Sequence, residues 1–161
     1  MNQLDCGSCW AFSTADIFQS ALAIKNNKNI AIGYPTDTVS IQYLVDCDVT
    51  NNGCEGGDQY NSLSYIKERG YFYTADYYYK SYMNKKMICR DKDSRNRRYE
   101  TSLRPFGYRN LNANNIKTLL SYHPVSVSIS VPDCFKFFKT GILTESFCKC
   151  ALKEKDGSPK L

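Results

Sequence analysis

Gln3-Leu4-Asp5-Cys6-Gly7-Ser8-Cys9-Trp10-Ala11-Phe12-Ser13 is the stretch on which the fold turns. A glycine turn delivers Cys9 to a segment in which Ala11, Ala15, Phe18 and Leu22 recur at the spacing of one helical face. That periodicity predicts a helix from about Cys9 to about Lys25. Cys9 then lies in the first turn, where unpartnered backbone N–H groups and the helix dipole favour an anion. A thiolate is an anion, so the position favours a nucleophilic sulfur. Gln3, six residues upstream, is within reach for its side-chain amide to point at an oxygen beside that sulfur. A nucleophile and an oxyanion donor are two of the parts that acyl transfer needs. The Cys6-Gly7-Ser8-Cys9 spacing by itself also admits a redox pair or half of a zinc site.

Outside this stretch, 161 residues of which 42% are hydrophobic suffice for one domain with a core. Thirteen Tyr and eight Phe argue against disorder. No run of about eighteen apolar residues is present, so no membrane span is expected. The net charge is +5, and Arg90, Lys92, Arg95, Arg97 and Arg98 cluster. Asp91, Asp93 and Glu100 are interleaved and Tyr99 is the one aromatic among them, so the run reads as a solvated loop and not a nucleic-acid surface. Eight cysteines point to an oxidising compartment, and setting Cys9 aside as a free thiol leaves an odd seven. No cofactor and no metal are expected.

Along the chain, residues 26–37 read as a surface loop. Ile41, Leu44 and Val45 have the spacing of a short amphipathic turn. Residues 51–57 form a glycine-rich turn cluster, and residues 60–69 read as a helix with Leu63, Ile66 and Lys67 in period and Gly70 as its stop. The tyrosine-rich residues 71–82 read as rings packed across a domain face. Residues 112–122 look helical, with Ile116, Leu119 and Leu120 on one face. Residues 123–131 alternate apolar and polar as a half-buried strand should.

The opening stretch resembles the papain/cathepsin family of cysteine peptidases, whose local signature is Cys-Gly-[Ser/Ala]-Cys-[Trp/Tyr]. Ser40-Ile41-Gln42-Tyr43-Leu44-Val45-Asp46-Cys47 is similar to the family's Ser-x-Gln-x-Leu-Val-Asp-Cys, and Gly53-Cys54-Glu55-Gly56-Gly57 to its Gly-Cys-x-Gly-Gly turn. Asp76-Tyr77-Tyr78-Tyr79 resembles the Asp-Tyr-Pro-Tyr region, with Tyr78 in place of the Pro. Residues 104–115 resemble the strand crossing between lobes, and Pro124-Val125-Ser126-Val127 the strand opening the second lobe. Residues 135–143 resemble the Phe-x-x-Tyr-x-x-Gly-Ile segment, with Phe138 at the aromatic position and Cys148 near the next cysteine.

The resemblance implies roles. Cys9 is the nucleophile and Gln3 the oxyanion-hole glutamine. Cys6 pairs with Cys54 and Cys47 with Cys89, leaving Cys134, Cys148 and Cys150. Gly56 and Gly57 border the groove and hydrogen-bond a bound peptide through bare backbone. Asp58 follows where it would line the main specificity pocket and disfavour apolar side chains. The implied fold is α+β, a papain-like two-lobed architecture with a nearly complete helical lobe over 1–108. A truncated β-barrel lobe follows over 109–148, then a divergent charged tail over 149–161.

The resemblance stops at Cys148. The family's catalytic His and Asn lie about 130–150 residues beyond the nucleophile, and residues 148–161 contain neither. The single histidine, His123, reads as a strand-end residue, with a displaced base as its alternative. The expectation is therefore a papain-like cysteine peptidase, incomplete or inactive for lack of the catalytic His. The alternative is a catalytically dead relative that binds peptides or inhibitors as a decoy. Thiol redox or metal binding through Cys6, Cys9, Cys148 and Cys150 is a third reading. Expected partners are a protein or peptide substrate and a cystatin-like inhibitor, with no nucleic acid and no membrane. The implied setting is lysosomal, vacuolar or extracellular, with no signal peptide in residues 1–161. An unpaired barrel edge at residues 125–131 is expected to promote self-association.

Overall fold

The computed structural model describes residues 3–28, 38–80, 86–92, 97–108, 111–129, 135 and 138–142. The chain divides into two compact units, Met1–Ser126 and Val127–Leu161. All helices below belong to the first unit. Cys134, Cys148, Cys150 and the charged tail, on which several sequence expectations fall, lie outside the described residues.

Helix α1 spans Cys9–Lys25, the bounds that the periodicity predicts. It buries Trp10, Ala11, Thr14, Ala15 and Phe18, and Leu22 packs partly buried beside them. Ala11 and Ala15 are small enough for the neighbouring helices to come close. The buried Thr14 hydroxyl is satisfied one turn back, donating to the Trp10 carbonyl at 2.8 Å.

Helix α2 spans Ile41–Cys47 and starts at Ser40, whose hydroxyl accepts from the Tyr43 N–H. Its spacing predicts an amphipathic turn, but all seven of its residues are buried. Gln42 and Asp46 tolerate this because they satisfy each other and their surroundings. Gln42 Nε2 donates to Asp46 Oδ1 at 2.9 Å, the Met87 N–H donates to the same oxygen at 2.8 Å, and the Tyr77 hydroxyl donates to Asp46 Oδ2 at 3.0 Å. Tyr43 forms the centre of an aromatic cluster, with ring centroids 4.7 Å from Phe72, 5.9 Å from Tyr65 and 6.0 Å from Tyr77. Burying such rings stabilises by roughly 1.5–3 kcal/mol each.

Helix α3 spans Gln59–Arg69. Gly70 ends it at φ +79, a left-handed conformation in which a Cβ would also stand 2.4 Å from the Tyr99 carbonyl oxygen. The buried face is Ser62, Tyr65 and Ile66. Lys67, placed in period by the sequence, is exposed, because Tyr65 and not the ammonium fills the seam toward Tyr43.

The tyrosine-rich segment packs as rings, with Tyr71, Phe72 and Tyr77 buried and Tyr78 exposed. Isolated antiparallel bridges join Val39 to Tyr73 and Tyr71 to Tyr99, and no longer strand occurs among the described residues. Two cations of the basic run cover these rings: the Arg90 guanidinium lies 4.6 Å from the Tyr77 centroid and that of Arg97 5.1 Å from Tyr99.

Helix α4 spans Ala113–Leu120 and opens with a reciprocal capping box between Asn112 and Asn115. None of its residues is buried, and Leu120 is exposed. The strand expected from residue 123 onward is a second correction. Residues 123–129 form no strand and no bridge among the described residues, and Val127 and Ile129 are 56% and 62% exposed, not half-buried in alternation. Alternation supplies a strand's two faces, but a ladder needs a partner. The described part of the predicted crossing strand, residues 104–108 and 111–112, likewise forms no strand.

Candidate active site

The Gly7-Ser8 turn places Cys9 at the first position of α1. Cys9 is exposed and outside any disulfide. No described residue accepts from its backbone N–H, and Ser8, the N-cap residue, makes no side-chain cap bond to the helix. The Ala11 and Phe12 N–H groups donate to the Ser8 carbonyl at 2.9 and 3.1 Å, so the Cys9 and Trp10 N–H groups are the open donors beside the exposed sulfur, in the local field that favours an anion.

The turn is stapled to the glycine-rich segment. Cys6 is joined to Cys54 across a sequence separation of 48, and Cys47 to Cys89 across 42. Cys6 is thus committed to a disulfide, so the Cys6/Cys9 redox-pair reading does not survive. The Gly7 N–H donates to the Cys54 carbonyl at 2.8 Å, and the buried Trp10 Nε1 donates to the Gly53 carbonyl at 2.9 Å. Three links therefore fix the nucleophile's turn against residues 53–54.

Asn51 fixes the other end of that segment. Its Nδ2 donates to Asp48 Oδ2 at 2.7 Å and its Oδ1 accepts from the Asp58 N–H at 2.7 Å. Asp48 in turn holds Thr50 through its N–H and hydroxyl at 2.9 and 2.6 Å. Gly56 has no atom within 4 Å of where a Cβ would stand, and Gly57 is exposed. Asp58 is exposed too, and its carboxylate caps α3 by accepting from the Asn61 N–H at 2.9 Å.

At Gln3, the main-chain carbonyl accepts from the Cys6 N–H at 3.3 Å and from the Tyr79 hydroxyl at 3.1 Å. Ser8 Oγ lies 3.0 Å from the same phenol oxygen. Tyr79 was not singled out by spacing. The one hint in the sequence was its place at the end of Asp76-Tyr77-Tyr78-Tyr79, which names no role.

His123 is not brought to Cys9 by any described bond. Its ring stacks on Tyr108 with centroids 6.5 Å apart and planes 11° from parallel, and its Nδ1 lies 3.2 Å from the Pro124 carbonyl. Farther along the same segment, Ser126 Oγ lies 2.6 Å from Ser13 Oγ, one helical turn from Cys9 on α1. Among the described residues, no group of three or more His, Cys, Asp or Glu side chains is arranged to hold a metal ion. No described helix is long and apolar enough to cross a membrane.

The family model of papain family cysteine proteases matches residues 1–156. Falcipain-2b of Plasmodium falciparum is 36% identical over 142 residues, which is 88% of this chain and 27% of that protein. Chymomexicain of Jacaratia mexicana is 34% identical over 145 residues, 88% of this chain and 61% of that protein. The chain thus spans less than two thirds of the length of either relative. Among solved structures, a Carica candamarcensis cysteine protease in complex with E-64 matches with a TM-score of 0.48 and 27% identity, covering 62% of this chain and 41% of that one.

Proposed function

From the premise that the chain belongs to the papain family of cysteine proteases, we propose that it carries the nucleophile side of a peptide-cleaving site. Cys9 attacks the scissile carbonyl, forming a sulfur–carbon bond as the carbonyl electron pair moves to oxygen. The Gln3 side-chain amide and the Cys9 backbone N–H hold that oxyanion. The substrate lies extended along Gly56 and Gly57, whose bare backbone accepts a strand-like peptide. Asp58 adds a fixed carboxylate next to Gly57 that disfavours apolar substrate side chains there. The single observation that carries this reading is the free, exposed Cys9 at the uncapped start of α1.

Cleavage also needs an imidazole that shares the thiol proton and protonates the leaving amine. The placement of His123 against Tyr108 favours a second reading for residues 1–161, in which the groove binds peptides or inhibitors without turnover. A cystatin-like inhibitor fits either reading. So does an oxidising setting, lysosomal, vacuolar or extracellular, given the two disulfides. The lobes are read as residues 1–108 and 109–148, with 149–161 as a tail.

The deciding experiment is titration of the protein with a thiol-directed peptidyl epoxide at mildly acidic pH. Rapid alkylation confined to Cys9 supports a nucleophile held as thiolate. Labelling as slow as that of an ordinary free thiol sinks the peptidase reading and leaves the binding one.

A further inference from the structure

Ser8 is the natural cap for α1. Serine is among the preferred N-cap residues because its oxygen accepts from an N–H of the first turn. Here it does not, and α1 starts without a side-chain cap. The fully buried Ser8 hydroxyl instead lies 3.0 Å from Tyr79 Oη, closer than its 3.4 Å contact with the Cys6 carbonyl. The Tyr79 phenol has one proton, and it is given to the Gln3 carbonyl at 3.1 Å. The serine must then donate to Tyr79, so the chain runs Ser8 O–H to Tyr79 O–H to Gln3 C=O. The phenol is held in place by α1 itself, its ring meeting Phe12 edge-on at 5.4 Å.

We propose that Tyr79 is a positioning residue for the oxyanion site. It ties the main chain at Gln3 to the residue preceding Cys9. It also draws the Ser8 hydroxyl away from the helix start, where the Cys9 and Trp10 N–H groups stay open for the oxygen of the reacting carbonyl. This inference rests on the peptidase-site reading above, since it concerns the same nucleophile and the same donors. It adds a residue that touches neither the substrate nor the sulfur and acts only through Gln3 and Ser8.

A peptide aldehyde tests it without requiring a leaving group or a general acid. The Cys9 sulfur adds to the aldehyde carbon, the carbonyl pair moves to oxygen, and the thiol proton ends on that oxygen as a reversible hemithioacetal. Its affinity therefore reads the nucleophile and the donors around the new oxygen. Tyr79→Phe keeps the ring against Phe12 and removes both hydrogen bonds, and is expected to weaken the aldehyde by about tenfold. Gln3→Ala should weaken it at least as much. The double variant should lose clearly less than the product of the two single losses, because the two changes share the Gln3 donor.

Ser8→Ala, which removes only the second link, is expected to weaken binding by about threefold and serves if Tyr79→Phe fails to fold. Iodoacetamide labelling of Cys9, which needs no oxyanion donor, should be unchanged in Tyr79→Phe. Wild-type affinity in both Tyr79→Phe and Ser8→Ala overturns the proposal. So do losses from Tyr79→Phe and Gln3→Ala that multiply, which would mark a structural role elsewhere. If the wild type binds the aldehyde no better than Cys9→Ser does, the peptidase-site reading itself fails and takes the proposal with it.

Discussion

Gly57 lies against the indole of Trp10 so closely that a Cβ built on it would stand 2.6 Å from Trp10 Cδ2 and 2.6 Å from Asn51 Oδ1. Both neighbours are held. Trp10 is buried and bonded through Nε1 to Gly53, and Asn51 is fixed between Asp48 and Asp58. Neither can yield cheaply, so Gly57→Ala must push the groove backbone outward. We expect a loss of about 1–3 kcal/mol, the usual cost of forcing extra volume into a packed site, read as a lower urea midpoint. Peptide-aldehyde affinity should fall with it, whereas Gly56→Ala meets no atom and is opposed only by its φ of +111.

Removing the Trp10 bond tests the same junction from the other side. Trp10→Phe keeps an aromatic ring but leaves the Gly53 carbonyl without its 2.9 Å donor. A buried acceptor left unpaired costs about 1–3 kcal/mol. The melting temperature should fall, and epoxide alkylation of Cys9 should slow as the turn loosens. Unchanged stability would mean that the Gly53 carbonyl finds another donor.

How much of this was legible in the sequence depended on how local each feature is. The bounds of α1 follow from Ala11, Ala15, Phe18 and Leu22, and the end of α3 from Gly70, because helix faces and stops are written within a few residues. Cys9 and the glycine turn were legible through the family-like motif. The burial of all of α2 was not, since its cause is a set of bonds from Tyr77 and Met87 to Asp46 across 31 and 41 residues. Tyr79 was missed for the same reason, its partner Ser8 standing 71 positions away. At residues 123–129 the alternation is present as a pattern, but no ladder forms on it among the described residues.

The Asp46 carboxylate is the hub of that hidden network, accepting from Gln42, Tyr77 and Met87. Asp46→Ala strands three donors in a region where Asp46 is 2% and Tyr77 1% exposed. The expected loss is about 2–5 kcal/mol, since each buried donor left without an acceptor costs about 1–3 kcal/mol. Asp46→Asn keeps the shape and should cost less. Chemical denaturation of the two variants checks the order.

Alkaline pH should unfold the protein through its buried phenols. Burial pushes Tyr77 up to about 12, with the Arg90 backbone N–H opposing the shift and the nearby Asp46 charge adding to it. Tyr43, Tyr65 and Tyr71 are also raised, each chiefly by burial. In the unfolded chain tyrosine titrates near 10. Between about pH 10 and 12 the folded state thus holds protons that the unfolded state has lost, so stability is complete below pH 10 and falls as pH rises. Tyr77 alone contributes roughly 2–3 kcal/mol to that fall. Tyrosinate absorbance should appear together with loss of helical circular dichroism in that window. Tyrosines titrating at ordinary pH with helicity intact would contradict the burial.

The exposed residues of the second unit lead to the last prediction. Val127 and Ile129 are 56% and 62% exposed on a stretch that forms no strand or bridge among the described residues. An apolar-patterned segment outside any β-ladder is a template for another chain, and two such side chains facing water add the hydrophobic drive. Purified residues 1–161 should therefore self-associate with increasing concentration in size-exclusion chromatography. Val127→Lys and Ile129→Lys place charges on that stretch and should shift the distribution toward monomer, without changing the melting of a core built from Trp10, Tyr43 and Phe72. A wild-type chain that stays monodisperse and monomeric at high concentration would show that the segment does not drive association.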